Sequence, residues 1–156
     1  MTKPLTIGDV MTGHLWVVGE DAPLRQARSL MVEHEIHHLP VVQQGRCVGV
    51  LTDRDVKRAL DPDLGLPPED ELFVRDACVF DVYAVAPSEP LERVLREMAG
   101  RHIGSALVVE GDRLVGILTA SDACRVFADF LRSSQQPLMP PSPADWRATR
   151  PASAAE

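Results

Sequence analysis

The chain is poor in aromatic residues, which make up 4% of its 156 positions, so a core built on stacked rings is excluded and packing falls to Val, Leu, Ile, Ala and Met. Cysteines are scarce too. Cys47, Cys78 and Cys124 are odd in number and sit in apolar surroundings, which excludes a disulfide framework and reads as reduced thiols of a cytoplasmic protein. An excess of basic charge is also missing. A net charge of −7 and a pI near 5.2, with no Lys/Arg cluster, argue against nucleic acid and anionic membrane as partners, since both demand a basic face. No apolar run approaches the ~20 residues that span a bilayer, and Met1-Thr2-Lys3-Pro4 has no signal-peptide core. Neither a Gly-rich phosphate loop nor a nucleophile with a paired base is visible, so an enzyme is not expected. What remains is an acidic chain long enough to bury about 70% of its unfolded surface, as one compact domain or two small intimate ones.

The sequence contains itself twice. Gly49-Val50-Leu51-Thr52-Asp53-Arg54-Asp55 returns 67 positions later as Gly116-Ile117-Leu118-Thr119-Ala120-Ser121-Asp122. The offset holds without a gap for Pro23 and Pro90, Met31 and Met98, Ile36 and Ile103, Val41-Val42 and Val108-Val109, and Arg58 and Arg125. In each copy a Gly and branched apolar residues before Thr read as a buried strand, and Thr followed three positions later by Asp reads as a helix start. The first N–H groups of a helix are unpaired and suit an anion. An aspartate there can accept two hydrogen bonds at once, and a vicinal diol is a natural donor pair. The same Thr-x-x-Asp pattern is also close to a capping box, which is worth about 1 kcal/mol and needs no ligand.

Read in order, Leu15 to Val18 and Val82 to Val85 are predicted first strands. Asp21 and Ser88 are N-cap candidates, with Pro23 and Pro90 in the first helical turn. Leu24, Ala27, Leu30 and Met31, like Leu91, Val94, Leu95 and Met98, fall at helical spacing. Leu39 to Val42 and Cys47 to Leu51 form a predicted hairpin, repeated by Ala106 to Val109 and Leu114 to Leu118. Helices follow over 53–60 and 120–131. Each copy is then a β-α-β-β-α unit: repeat one over 5–60, an acidic linker with three prolines and five acids over 61–71, and repeat two over 72–131. A Pro/Ser/Ala-rich tail over 132–156 cannot bury enough apolar surface to fold alone. Trp146 is the one residue in it suited to docking.

This order, with Gly-h-h-Thr-x-x-Asp present twice (h, apolar), resembles a tandem cystathionine β-synthase (CBS) domain pair, or Bateman module, from roughly Leu5 to Phe127. The resemblance implies an α+β fold in which two repeats pack about a pseudo-twofold axis. It implies clefts between them that bind AMP, ADP, ATP or S-adenosylmethionine, and a homodimer that signals to a downstream protein. It further implies that Asp55 and Asp122 hold ribose hydroxyls with Thr52 and Thr119 beside them. In the family, each site joins the aspartate corner of one copy to the opening segment of the other. Thr119, Asp122, Thr12, Ile36, His37 and His38 would then form the better-equipped site, the histidines facing phosphates. Thr52, Asp55, Val79, Ile103 and Gly104 would form a poorer one. The competing view is a structural dimerisation module with empty clefts.

His34-Glu35-Ile36-His37-His38 also matches H-E-x-x-H, a zinc hydrolase signature that needs both histidines on one helix face. Pro40 disfavours helical geometry at Leu39, so the helix is expected to end near His37. The matching stretch Arg101-His102-Ile103-Gly104-Ser105 keeps none of that chemistry. No metal site and no catalytic residue is therefore expected.

Overall fold

The structure is a computed structural model and describes residues 4–133; the tail over 134–156, with Trp146, lies outside the described residues. A 3-10 turn over Ile7–Asp9 leads into β1 (Val18–Gly19), α1 (Leu24–Glu33), β2 (His38–Gln43), β3 (Arg46–Thr52) and α2 (Asp53–Ala59). The second repeat runs α3 (Val74–Ala77), β4 (Ala84–Val85), α4 (Leu91–Arg101), β5 (Ser105–Glu110), β6 (Arg113–Thr119) and α5 (Ala120–Ser133). Each repeat holds one three-stranded sheet, β1-β2-β3 or β4-β5-β6, with its first pair parallel and its second antiparallel. The β2–β3 turn places Gln44 and Gly45 at φ 49° and 81°, the left-handed pair that a tight hairpin requires. The fold is therefore the expected α+β arrangement of two β-α-β-β-α repeats.

The predicted first strands are longer than the observed ones. Only Val18 and Gly19, and Ala84 and Val85, pair with the sheet. Trp16 and Val17 stay outside the ladder and half exposed. The expected caps at Asp21 and Ser88 also give way, because Pro23 and Pro90 stand at the N-cap with no side-chain cap bond. The physical reason lies in the other repeat. The Leu24 amide donates to Leu72 O at 2.8 Å, and the Leu91 amide donates to Leu5 O at 2.9 Å, so the helix ends are satisfied by backbone from across the molecule. Asp21 instead pairs with Arg75.

That exchange is systematic. Ile7, fully buried, packs in the second core with Leu91, Val94, Met98 and Leu118, while Val74, also fully buried, packs in the first with Leu24, Ala27, Met31 and Leu51. Each repeat's opening segment therefore completes its neighbour's core. Isolated bridges link Thr12 with Ile117 and Val79 with Val50, and Thr6 with Pro90 and Phe73 with Pro23. Within each couple, shifting both residues by the repeat offset converts one bridge into the other, which is the mark of a pseudo-twofold axis.

The same crossing explains the glycine that begins each motif. A Cβ at Gly49 would stand 2.9 Å from the Val79 carbonyl oxygen, and one at Gly116 would stand 2.3 Å from Met11 Sδ. At Gly49, where the obstacle is backbone, a residue without a side chain lets the opening segment lie on the strand.

Candidate functional site

Both Thr-x-x-Asp corners form capping boxes. The Thr119 amide and hydroxyl donate to Asp122 Oδ2 at 2.9 and 2.7 Å, and the Asp122 amide donates back to Thr119 Oγ1 at 3.2 Å. The Thr52–Asp55 corner repeats this at 2.9, 2.6 and 3.1 Å. The cap thus exists, but it engages only one carboxylate oxygen in each copy. At Asp122 the other oxygen, Oδ1, accepts from Arg125 Nη1 at 3.0 Å. Asp122 is 8% exposed and is one of two buried polar side chains among the described residues, the other being Ser105. The cap therefore leaves the second oxygen of this carboxylate uncommitted to the helix terminus.

Asp122 opens onto a cleft of about 380 Å³ between the repeats, lined by Thr12, Ile36, His37, His38, Thr119 and Asp122 together with His14, Leu15, Trp16, Glu35, Pro40, Ile117, Ser121 and Arg125. All six residues assigned to the better-equipped site thus share one cavity. Thr12 arrives because its amide donates to Ile117 O at 2.9 Å and its carbonyl accepts from the Ile117 amide at 3.0 Å. Sequence reasoning missed Trp16, read as an inner strand residue, and Arg125, seen as half of the Arg58/Arg125 repeat pair but given no role. Trp16 stacks on His34 with ring centroids 3.6 Å apart and an interplanar angle of 9°.

The second corner differs. Asp55 and Val79 line a depression of about 370 Å³ with Arg58, Asp76, Ala77 and the linker residues Leu64 and Leu66, but Thr52, Ile103 and Gly104 are not in its lining. Ile103 packs against the second core. Gly104 faces the His38 ring, whose Nε2 would lie 2.9 Å from a Cβ there. A histidine from repeat one thus lies against Gly104, a residue assigned to the poorer site. A wider groove of about 850 Å³ between α1 and α2, with Met31, Val32, Ile36, Val56 and Leu60 on it, contains neither corner aspartate.

The H-E-x-x-H stretch does not form a helical chelate. α1 ends at Glu33, four residues before the expected end, with His34 as its C-cap and Glu35 in the left-handed region at φ 52°. His34 stacks on Trp16, His37 Nδ1 lies 3.7 Å from Asp53 Oδ2, and His38 opens β2. Among the described residues no three His, Cys, Asp or Glu side chains are grouped to hold a metal ion. Burial lowers the proton affinity of His38, with Asp53 opposing that shift. Burial also pushes the Cys78 thiol up to about 11, which suits a packing residue and not a reactive thiolate.

A duplicated sheet-and-helix unit with exchanged opening segments, a pseudo-twofold axis and an aspartate corner facing the cleft defines a class of paired modules, and sequence comparison identifies the family. Residues 7–62 and 74–129 match the CBS domain, and the chain belongs to that family. Hypoxic response protein 1 of Mycobacterium tuberculosis is 32% identical over 126 residues, covering 77% of this chain and 83% of that protein. The CBS domain-containing protein YhcV of Bacillus subtilis is 29% identical, covering 75% and 81%. A solved conserved protein of Pyrococcus horikoshii superposes with a TM-score of 0.69 at 29% identity, over 90% of this chain and 100% of that one. The CBS domain pair of protein MJ0100, solved with 5′-methylthioadenosine and S-adenosyl-L-methionine, gives 0.70 at 25% identity over 79% and 99%. Hypoxic response protein I has also been solved with two coordinated zinc ions, with a TM-score of 0.66 at 30% identity over 78% of this chain and 98% of that one. Several matching relatives are enzymes, among them a Methanocaldococcus jannaschii sulfurtransferase and a Geobacter sulfurreducens tRNA nucleotidyltransferase, but the chain spans only 24% and 14% of their lengths.

Proposed function

We propose that this chain is a regulatory module that binds an adenosine-containing ligand, AMP, ADP, ATP or S-adenosylmethionine, at the Asp122 corner and passes occupancy on through packing to a partner protein. The observation that carries this reading is the division of labour at Asp122, which lines the inter-repeat cleft: Oδ2 is committed to the Thr119 cap, while Oδ1 takes no part in the cap and, among the described residues, accepts only from the exposed Arg125. A carboxylate so placed has the acceptor geometry for a ribose hydroxyl. The adenosyl compounds in the MJ0100 pair support the same ligand class. The enzymatic relatives do not argue for catalysis, because the match covers only a minor share of each. Exposed Phe127, Phe130 and Leu131 on α5 support association of two copies, since an apolar helix face of this kind is a common self-association surface.

Thermal-shift measurement with AMP and with its 2′,3′-dideoxy analogue tests the reading. AMP is expected to stabilise the protein and the dideoxy analogue is not. Asp122→Ala is expected to lose about 1 kcal/mol with the cap and, separately, the whole AMP response. Equal stabilisation by the two ligands would overturn the ribose assignment.

A further inference from the structure

A carboxylate offers four acceptor positions, and three of those on Asp122 are occupied. Thr119 fills both on Oδ2, through its amide and its hydroxyl, and Arg125 Nη1 takes one on Oδ1. One position is left, whereas a ribose diol brings two donors. The diol cannot be accepted in full while Arg125 stays where it is. Building on the reading above, we infer that Arg125 is an internal competitor for the ribose diol, whose release makes the cleft select phosphorylated adenosine over adenosine itself.

The two partners are placed for such an exchange. The Asp122 side chain is 11% exposed and Arg125 is 71% exposed, so the cation can swing out while the carboxylate remains fixed by its cap. With its cationic end in solvent the pair is screened, and displacing it costs a few-fold in affinity without blocking the site. Once freed, the guanidinium presents a planar fork of donors suited to a phosphate group. It already lies in the wall of the cleft that His37 and His38 also line. A phosphorylated ligand therefore gives Arg125 a new anion in place of the one it lost. A neutral nucleoside leaves it to water. The bridge is no by-product of the repeat. Arg58 stands at the matching position one turn after Asp55, and among the described residues it makes no ion pair, although the Thr52–Asp55 cap is the same.

Calorimetry on the full chain, with wild type, Arg125→Met and Arg125→Lys, tests this using adenosine, 2′,3′-dideoxyadenosine, AMP and S-adenosylmethionine. Arg125→Met is expected to bind adenosine about two- to fivefold more tightly, the range for losing an ion pair screened by solvent at its cationic end. It should leave dideoxyadenosine unchanged, because that compound has no diol with which Arg125 competes. Its preference for AMP over adenosine should fall by about fivefold, the upper end for such a pair, and Arg125→Lys should keep part of that preference. If wild type binds AMP and adenosine but Arg125→Met leaves both unchanged, this inference fails while the nucleoside reading stands. If wild type binds none of the four compounds, both fail together.

Discussion

His38 is half-buried, with its ring against Gly104 of the other repeat, and burial lowers its proton affinity below the ordinary value of 6.5, against an upward pull from Asp53 and Asp55 and with His37 and Arg54 adding to the lowering. The folded state therefore takes up this proton at lower pH than the unfolded chain does. Stability attributable to His38 is complete above about 6.5 and falls as pH drops through that value toward the folded one, because there the unfolded state binds more protons. The melting midpoint is expected to decline less between pH 7 and 5 in His38→Gln than in wild type, and equal declines would refute the assignment. Zinc is argued at the same scale. With His34, His37 and His38 facing three different neighbours, elemental analysis of protein purified without chelator is expected to find no stoichiometric zinc; one zinc per chain removed by His34→Ala would contradict this. The motif residues were legible in the sequence because Thr and Asp act locally, three positions apart. Trp16 was not, since it takes its role from the cleft around it; Arg125 stands three positions after Asp122, a local spacing that the matching Arg58 shares without an ion pair among the described residues, so the pattern alone did not mark it.

Strand and helix positions followed from periodicity, yet the ends of elements did not, because here the ends are set by the partner repeat. The cap of α1 is a carbonyl of Leu72 and that of α4 is a carbonyl of Leu5, contacts across the molecule that no local window contains. The crossing segments also make the two motif glycines unequal. At Gly49 the obstacle to a Cβ is the Val79 carbonyl oxygen, itself fixed by the Val50 amide at 2.9 Å. At Gly116 it is the flexible Met11 side chain. Gly49→Ala is expected to cost about 1–3 kcal/mol as overpacking against rigid backbone, and Gly116→Ala less. Denaturant unfolding of both, and of Met11→Ala/Gly116→Ala, checks the cause. The double variant should show a favourable coupling, since each change relieves the other. Additive losses would mean that Met11 is not the obstacle.

At the scale of the whole molecule, duplication provided two equal corners, and later divergence made them unequal. Thr12 faces Ile117 across the axis where its counterpart Val79 faces Val50, so one cleft gains a hydroxyl and the other a methyl. His38 leans on Gly104, while its own counterpart Ser105 is buried in β5. Thr12, His37 and His38 from repeat one are thus brought to the Asp122 side. Leu64 and Leu66 from the linker join Asp55 on the other side, beside Arg58 and Asp76, where among the described residues no histidine and no threonine from the opposite repeat lines the wall. One strong adenosine-ligand site per chain is the expected result of calorimetry, abolished by Asp122→Ala and retained in Asp55→Ala. The second substitution still costs about 1 kcal/mol of stability, because Asp55 caps α2 through the same three hydrogen bonds. Binding of a phosphorylated ligand at the single site should tighten as pH falls toward the lowered range in which His38 takes up its proton, since phosphate favours the protonated form of a neighbouring histidine. That linkage should vanish in His37→Ala/His38→Ala, and two equal sites of matching pH dependence would show that the divergence across the axis has no bearing on binding.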